Sequence, residues 1–204
     1  MHFTLADLVA DITQNGAESG VGLVELEIRE NFPPPGPGGN PAGGGEFRFL
    51  VRDTGRGMDR AELDRALDPF VTDGVKHPGR KVGLGIPFLI QTASLSGGGW
   101  DISSVKAGSE KAGERQGTVV EAWFDLGNVD TPPVGDIPGL FRTVLLFQGP
   151  EEIIIRRSRK GGAGDLDYEL KKTELAGALG DLEDAGSLVL LGKYLRSLEE
   201  EESA

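Results

Sequence analysis

The chain is predicted to fold as an α+β protein, and three observations carry this. Phe47, Phe49 and Val51 alternate with Arg48, Leu50 and Arg52, the two-residue period of a strand with one buried face. Leu5, Leu8, Val9 and Ile12 recur at the spacing of an amphipathic helix. Strand-like and helix-like segments then follow one another to the C-terminus, separated by glycine- and proline-rich breaks.

The first helix has Thr4 as its N-cap and Asp7 three residues on, the pattern of a capping box. Asp11, Asn15 and Glu18 fall on one of its faces at i, i+4 and i+7. Asn15 supplies a neutral side-chain oxygen. Magnesium takes oxygen ligands, keeps several waters and bridges to substrate phosphates. Asp11 is a candidate for orienting or deprotonating an attacking water. A plain solvated polar face accounts for the same residues.

Strands are expected over Val24–Glu30 and Phe47–Arg52. Between them Asn31 to Gly45 reads NFPPPGPGGNPAGGG, which cannot form regular structure and reads as a flexible hairpin insertion rather than a partner-binding segment. Asp53 stands where the second strand ends, followed by Gly55 and Gly57. These glycines permit tight turns and the close approach of a flat ligand. A carboxylate there can accept a hydrogen bond from the amine of a planar ring. A simple Asp-Gly turn is the alternative.

Gly83 and Gly85 precede a helix expected to start near Ile86, with Pro87 in its first turn. A glycine-rich loop feeding a helix N-terminus offers free N–H groups and the positive end of the dipole, an anion site suited to phosphates. A plain flexible connection is the alternative. A break at Ser96–Gly99 leads to a strand from Trp100 to Val105, a polar turn from Lys106 to Arg115, and a strand carrying Thr118.

Thr131-Pro132-Pro133 marks a boundary. Beyond it, Phe141–Phe147, Ile153–Arg157 and Leu166–Leu170 read as strands, and Thr173–Leu182 and Asp184–Leu198 as helices. The basic run Arg156–Lys160 reads as a solvated strand end and turn, and Glu199–Glu202 as a frayed tail.

With 204 residues, 38% hydrophobic and 26% charged, one domain with an extension is expected, divided as 1–128 and 129–204. The absence of Cys excludes disulfides and thiolate metal sites. No apolar run reaches membrane-spanning length and no signal peptide opens the chain, so no membrane partner and a cytoplasmic location are expected. A net charge of -12 disfavours broad nucleic-acid binding.

Asp11-Ile12-Thr13-Gln14-Asn15, Asp53-x-Gly55-x-Gly57 and Gly83-x-Gly85, in that order, resemble the N, G1 and G2 boxes of the GHKL superfamily. Its members include gyrase-type topoisomerases, heat-shock chaperone ATPases, histidine kinases and mismatch-repair ATPases. Asp68-Pro69-Phe70-Val71-Thr72 is similar to the family's motif before the ATP lid, and Gln116–Val120 to its late adenine-facing strand. The resemblance covers roughly residues 4–126.

It implies a two-layer α/β sandwich, a mixed sheet covered by helices on one face, that binds ATP and Mg²⁺. Asp53 would bond the adenine amine, with Thr118 assisting. Asn15 would hold Mg²⁺ against the phosphates. Gly55, Gly57, Met58, Phe70, Lys81 and Leu84 would also contact the nucleotide. Gly83 and Gly85 would let a lid over 71–82 close, and its Lys76, His77, Arg80 and Lys81 suit phosphate charge.

Two departures stand out. Asp11 occupies a position where the hydrolysing branches carry the longer Glu, which implies slow turnover. Glu18-Ser19 follows the N box where histidine kinases carry Lys or Arg. No helical hairpin with a phosphoacceptor His precedes the domain, and His2 and His77 are the only histidines, so a self-contained sensor kinase is not expected. Residues 129–204 are too few for the full transducer domain of the topoisomerase or mismatch-repair branches. Two classes stay open: a slow ATPase or anti-sigma-factor-type protein kinase, and a non-catalytic, nucleotide-gated interaction module. Either implies a protein partner, and a homodimer is among the assemblies left open.

Overall fold

A computed structural model describes residues 3–20, 22–34, 44–68, 85–109, 116–162 and 164–200. Helix α1 (Leu5–Ala17) begins as its sequence dictates. The Thr4 hydroxyl accepts from Asp7 N at 3.1 Å, and the Asp7 carboxylate accepts from Thr4 N at 2.9 Å. Strands β1 (Leu23–Asn31) and β2 (Glu46–Asp53) form an antiparallel pair in which Val24 lies opposite Asp53. Then follow α2 (Arg60–Leu67), α3 (Gly85–Leu95), β3 (Gly99–Val105) and β4 (Gly117–Asp125). The remaining elements are α4 (Ile137–Leu145), β5 (Glu152–Lys160), β6 (Leu166–Lys171), α5 (Lys172–Leu179) and α6 (Ala185–Glu200).

The strands make one sheet in the order β3-β4-β2-β1-β5-β6. Among the described residues only the β1–β5 pair is parallel, so the sheet is mixed. Period-two patterning selects one face for the core. Val24, Leu26 and Ile28, Phe47, Phe49 and Val51, Ala122 and Phe124, and Ile153 and Ile155 are all buried. Helices α1, α3 and α4 lie over this face, and α6 packs on α4. The other face carries charged rows joined by ion pairs, among them Arg156–Glu25 and Arg48–Glu121 at 2.8 and 2.9 Å. Such half-exposed pairs add little stability but keep that face wet. The fold is therefore the expected two-layer α+β sandwich.

Four segments differ from the sequence reading. Phe141–Phe147 is not a strand. It belongs to α4, whose inward Ile137, Leu140, Phe141, Val144 and Leu145 follow helical spacing. Asp136 caps that helix by accepting from Gly139 N at 2.9 Å, and Pro138 sits in its first turn. A window opened at Phe141 cuts off both start signals. Helix α2 was not expected, because it buries no residue; a capping box of Asp59 and Glu62 defines it.

The basic run at 156–160 is a solvated strand end only in part: the Arg156 and Lys160 side chains are exposed, but those of Arg157 and Arg159 are not. Arg157 is only 2% exposed and points inward. It donates to Glu30 at 2.7 Å and to Glu199 at 3.0 Å, while Arg156 pairs with Glu25 and Glu169 and Lys160 with Asp165. Glu199 consequently is not frayed: it lies in α6, accepts from Arg157, and also accepts from the Tyr168 hydroxyl at 2.6 Å. Residues 201–202 of the acidic run lie outside the described residues. A charged pair with complementary partners can be buried where either charge alone could not.

Candidate functional site

The sequence elements singled out above converge at one corner of the sandwich. The C-terminal turn of α1, the end of β2, the start of β4 and the N-terminus of α3 meet there. Gly16 of α1 lies over Asp53 of β2: a Cβ on Gly16 would stand 3.5 Å from Asp53 Cβ. Asn15, one residue earlier, lies against the first turn of α3, where a Cβ on Gly85 would stand 3.3 Å from Asn15 Nδ2 and 3.7 Å from Ile12 Cδ1. A single helical turn thus faces the Asp53 carboxyl with one residue and the α3 N-terminus with the next.

Asp53 ends β2 on the inward face and is 6% exposed. Its Oδ1 accepts from Gly55 N at 2.8 Å and from the Ser19 hydroxyl at 3.1 Å. Burial pushes the Asp53 carboxyl above the ordinary aspartate value; hydrogen bonds from Gly55, Ser19 and the Thr118 backbone oppose that shift. An ionised carboxylate here is an acceptor held in a nearly water-free wall.

Sheet register continues the polar wall. Asp53 lies opposite Thr118 of β4, and Thr118 lies opposite Ser104 of β3. Cross-strand partners point to the same face, so the three side chains form one row. The Ser104 and Thr118 hydroxyls are 2.9 Å apart, and Ser104 accepts from Met58 N at 2.8 Å. The loop after β2 is pinned to β3 by that bond.

Two glycines of this loop are required by geometry. Gly57 has φ of +61°, and a Cβ there would meet Val105 O at 2.0 Å. Gly55 has no unusual φ, yet a Cβ would meet the Ser19 hydroxyl at 2.1 Å and Asp53 Oδ1 at 2.9 Å. Gly55 lets the backbone lie against the carboxyl, and Gly57 lets it pack on the end of β3.

Asp11 and Asn15 are exposed on α1, one turn apart. The Asp11 carboxyl is held above its ordinary value by partial desolvation and by the neighbouring negative Asp7. Asn15 can offer one oxygen to a metal that keeps most of its waters, which fits Mg²⁺ carried in on phosphates better than an all-protein cage. Among the described residues no group of three His, Cys, Asp or Glu side chains is placed to hold a metal. Helix α3 brings its first described turn, at Gly85, to the same corner, and the start of a helix is where backbone N–H groups can meet an anion.

Asn15, Asp53, Gly55, Gly57, Met58, Gly85 and Thr118 thus come together at this corner, with Asp11 one turn back along α1 from Asn15. Phe70, Lys81, Gly83 and Leu84, with the lid expected over 71–82, lie outside the described residues. Sequence reasoning missed the two hydroxyls, Ser19 and Ser104. Ser104 continues the inward alternation of Trp100 and Ile102, and Ser19 follows Asn15 by four residues, so both carried a signal. Among the described residues no helix is long and apolar enough to cross a membrane.

The model of the histidine kinase-, DNA gyrase B- and HSP90-like ATPases matches residues 3–128. Among curated proteins none matches the chain.

Proposed function

The chain belongs to the histidine kinase-, DNA gyrase B- and HSP90-like ATPase family, and from that premise we propose that it binds ATP with Mg²⁺ and slowly transfers the terminal phosphoryl group, to water or to a partner protein. ATP binding of the GHKL type follows from the family. The site residues, the metal and the transfer are the proposal. The observation that carries it is the buried Asp53 carboxylate at the end of β2, in register with Thr118 and under Gly16, whose neighbour Asn15 lies against the first turn of α3.

Asp53 accepts the adenine amine in this reading, and Thr118 completes the base contact. Glycines 55 and 57 leave room for the ring. Asn15 stands between the base wall and α3, where it would carry the metal. Mg²⁺, when bound, neutralises charge on the phosphates and orients them. The first-turn N–H groups of α3 meet the same charge.

Asp11 takes the proton of the attacking nucleophile. Its raised proton affinity supports that role, because a base works best when its pKa approaches the working pH. Its short side chain argues for a low rate: a small misplacement of a catalytic group costs a large factor. That same feature favours a second reading, a nucleotide-gated module that binds without turnover and reports ATP to a protein partner.

Phosphate release from the purified protein, with and without candidate partners, separates the two. The proposal expects slow release that Asp11→Asn abolishes while calorimetry still registers ATP. Release undiminished in a rigorously purified Asp11→Asn variant would remove Asp11 as the base. ATP binding with no release under any condition would leave the gated module.

A further inference from the structure

We propose that Ser19 is the positioning residue of base recognition: its hydroxyl donates to Asp53 Oδ1, holds the carboxyl as an acceptor, and so makes the site select a 6-amino purine over a 6-oxo purine. The proposal rests on the reading of Asp53 as the adenine acceptor.

The hydroxyl carries one hydrogen and has two acceptors in reach, Gly16 O at 2.8 Å and Asp53 Oδ1 at 3.1 Å. Gly16 O is already served by Ser19 N at 3.0 Å. An ionised carboxylate is the stronger acceptor, so the hydrogen goes to Asp53. Oδ1 then holds two donors, Ser19 and Gly55 N, and Oδ2, on the side of Gly16, is offered to the ligand. If Asp53 took up a proton while Oδ1 kept its two donors, the hydrogen would sit on Oδ2, the oxygen on the ligand's side. An acid in place of the carboxylate would face the adenine amine with a donor and would instead suit the O6 of a 6-oxo purine.

The balance matters because burial alone favours the neutral acid. The groups that reach the Asp53 carboxyl are Gly16 and Ser19 at the end of α1, Gly55 after β2, and the Thr118 backbone of β4. None of them is charged, and no charged side chain is among the causes that move it. Among the described residues it is therefore neutral hydrogen bonds that favour the ionised acceptor, and Ser19 is the side chain that supplies one.

The test is calorimetric titration of the parent, Ser19→Ala, Ser19→Cys, Ser19→Thr and Asp53→Asn with MgATP and with MgGTP from pH 8 to pH 5.5, the fold of each checked by thermal unfolding. In the parent, affinity for MgATP should hold steady over this range relative to a nucleotide-only control. Ser19→Ala should bind MgATP about tenfold more weakly near neutral pH, the loss of one hydrogen bond to a charged group. It should weaken further as pH falls, and its ATP-to-GTP ratio should shrink. Ser19→Cys, a weak donor, should move the same way, and Ser19→Thr should restore both the affinity and the pH profile. Parent-like affinity and pH profile in folded Ser19→Ala and Ser19→Cys, with Asp53→Asn defective, would overturn the role of Ser19 and leave the adenine reading standing. Parent-like binding by Asp53→Asn as well would overturn the adenine reading itself.

Discussion

Replacing Arg157 by Ala should be among the most damaging changes in the protein, and the structure sets its size. The guanidinium has 1% side-chain exposure; its partners Glu30 and Glu199 have 8% and 14%. It donates to Glu30 at 2.7 Å, to Glu199 at 3.0 Å and to Ser158 O at 2.9 Å. Removing it leaves two carboxylates sharing a nearly dry site, with Arg159, 3.6 Å from Glu199, and the Tyr168 hydroxyl in partial compensation. Breaking a buried pair in this way costs about 3–5 kcal/mol. At roughly 2–4 °C per kcal/mol for a chain of this size, Tm should drop by roughly 6–20 °C. Glu199→Gln should cost less, because Arg157 keeps Glu30.

Calorimetric melting with urea unfolding is the assay. Because β5 pairs with β1 along its length, from Leu23 opposite Glu152 to Asn31 opposite Lys160, a single transition should shift as a whole. MgATP affinity should survive. Arg157 is level with Ile28, four residues along β1 from Val24, which faces Asp53, or about 13 Å at strand rise. A loss below about 1 kcal/mol, or a separate early transition with the main one unmoved, would refute the reasoning.

Gly57→Ala should cost at least about 2 kcal/mol, since φ of +61° is strained for alanine and its Cβ would run into Val105 O; urea unfolding checks this, and an unchanged midpoint would contradict it. The ligand-free protein should become more stable in Asp53→Asn at pH 7. Burial raises the folded-state pKa of Asp53, so its contribution is fully present below the ordinary carboxylate value and is lost as pH rises through the raised one. The Tm gain of the variant should therefore shrink toward zero near pH 3, and a gain that grows on acidification would reverse the sign of the argument.

The site was legible where chemistry and periodicity coincide. Asp53 at the end of an alternating strand, two glycines after it, and Asn15 on the polar side of an amphipathic helix all point to one corner, and each depends on local rules. Ser19 was harder, because its partner Asp53 is 34 residues away and only the α1–β2 packing brings them together. The C-terminal part shows the same division. Its helices α5 and α6 and strands β5 and β6 follow from pattern, whereas the inward turn of Arg157 depends on Glu30 of β1 and Glu199 of α6, which no local rule pairs with it. Helix α4 was readable in full, with its Asp136 cap, Pro138 and five spaced apolar residues; it is misread only when its first turn is left out.

Calorimetric titration of MgATP into the parent and into Asp53→Asn tests the central claim most directly. The exchange replaces an acceptor that faces the adenine amine with a group that is half donor, in a site where the carboxylate is 6% exposed. Losing a hydrogen bond to a charged group costs about 1.5–3 kcal/mol, so the folded variant should bind roughly ten- to a hundredfold more weakly, if at all. Equal affinity in a folded Asp53→Asn variant would contradict the assignment of this corner as the nucleotide site.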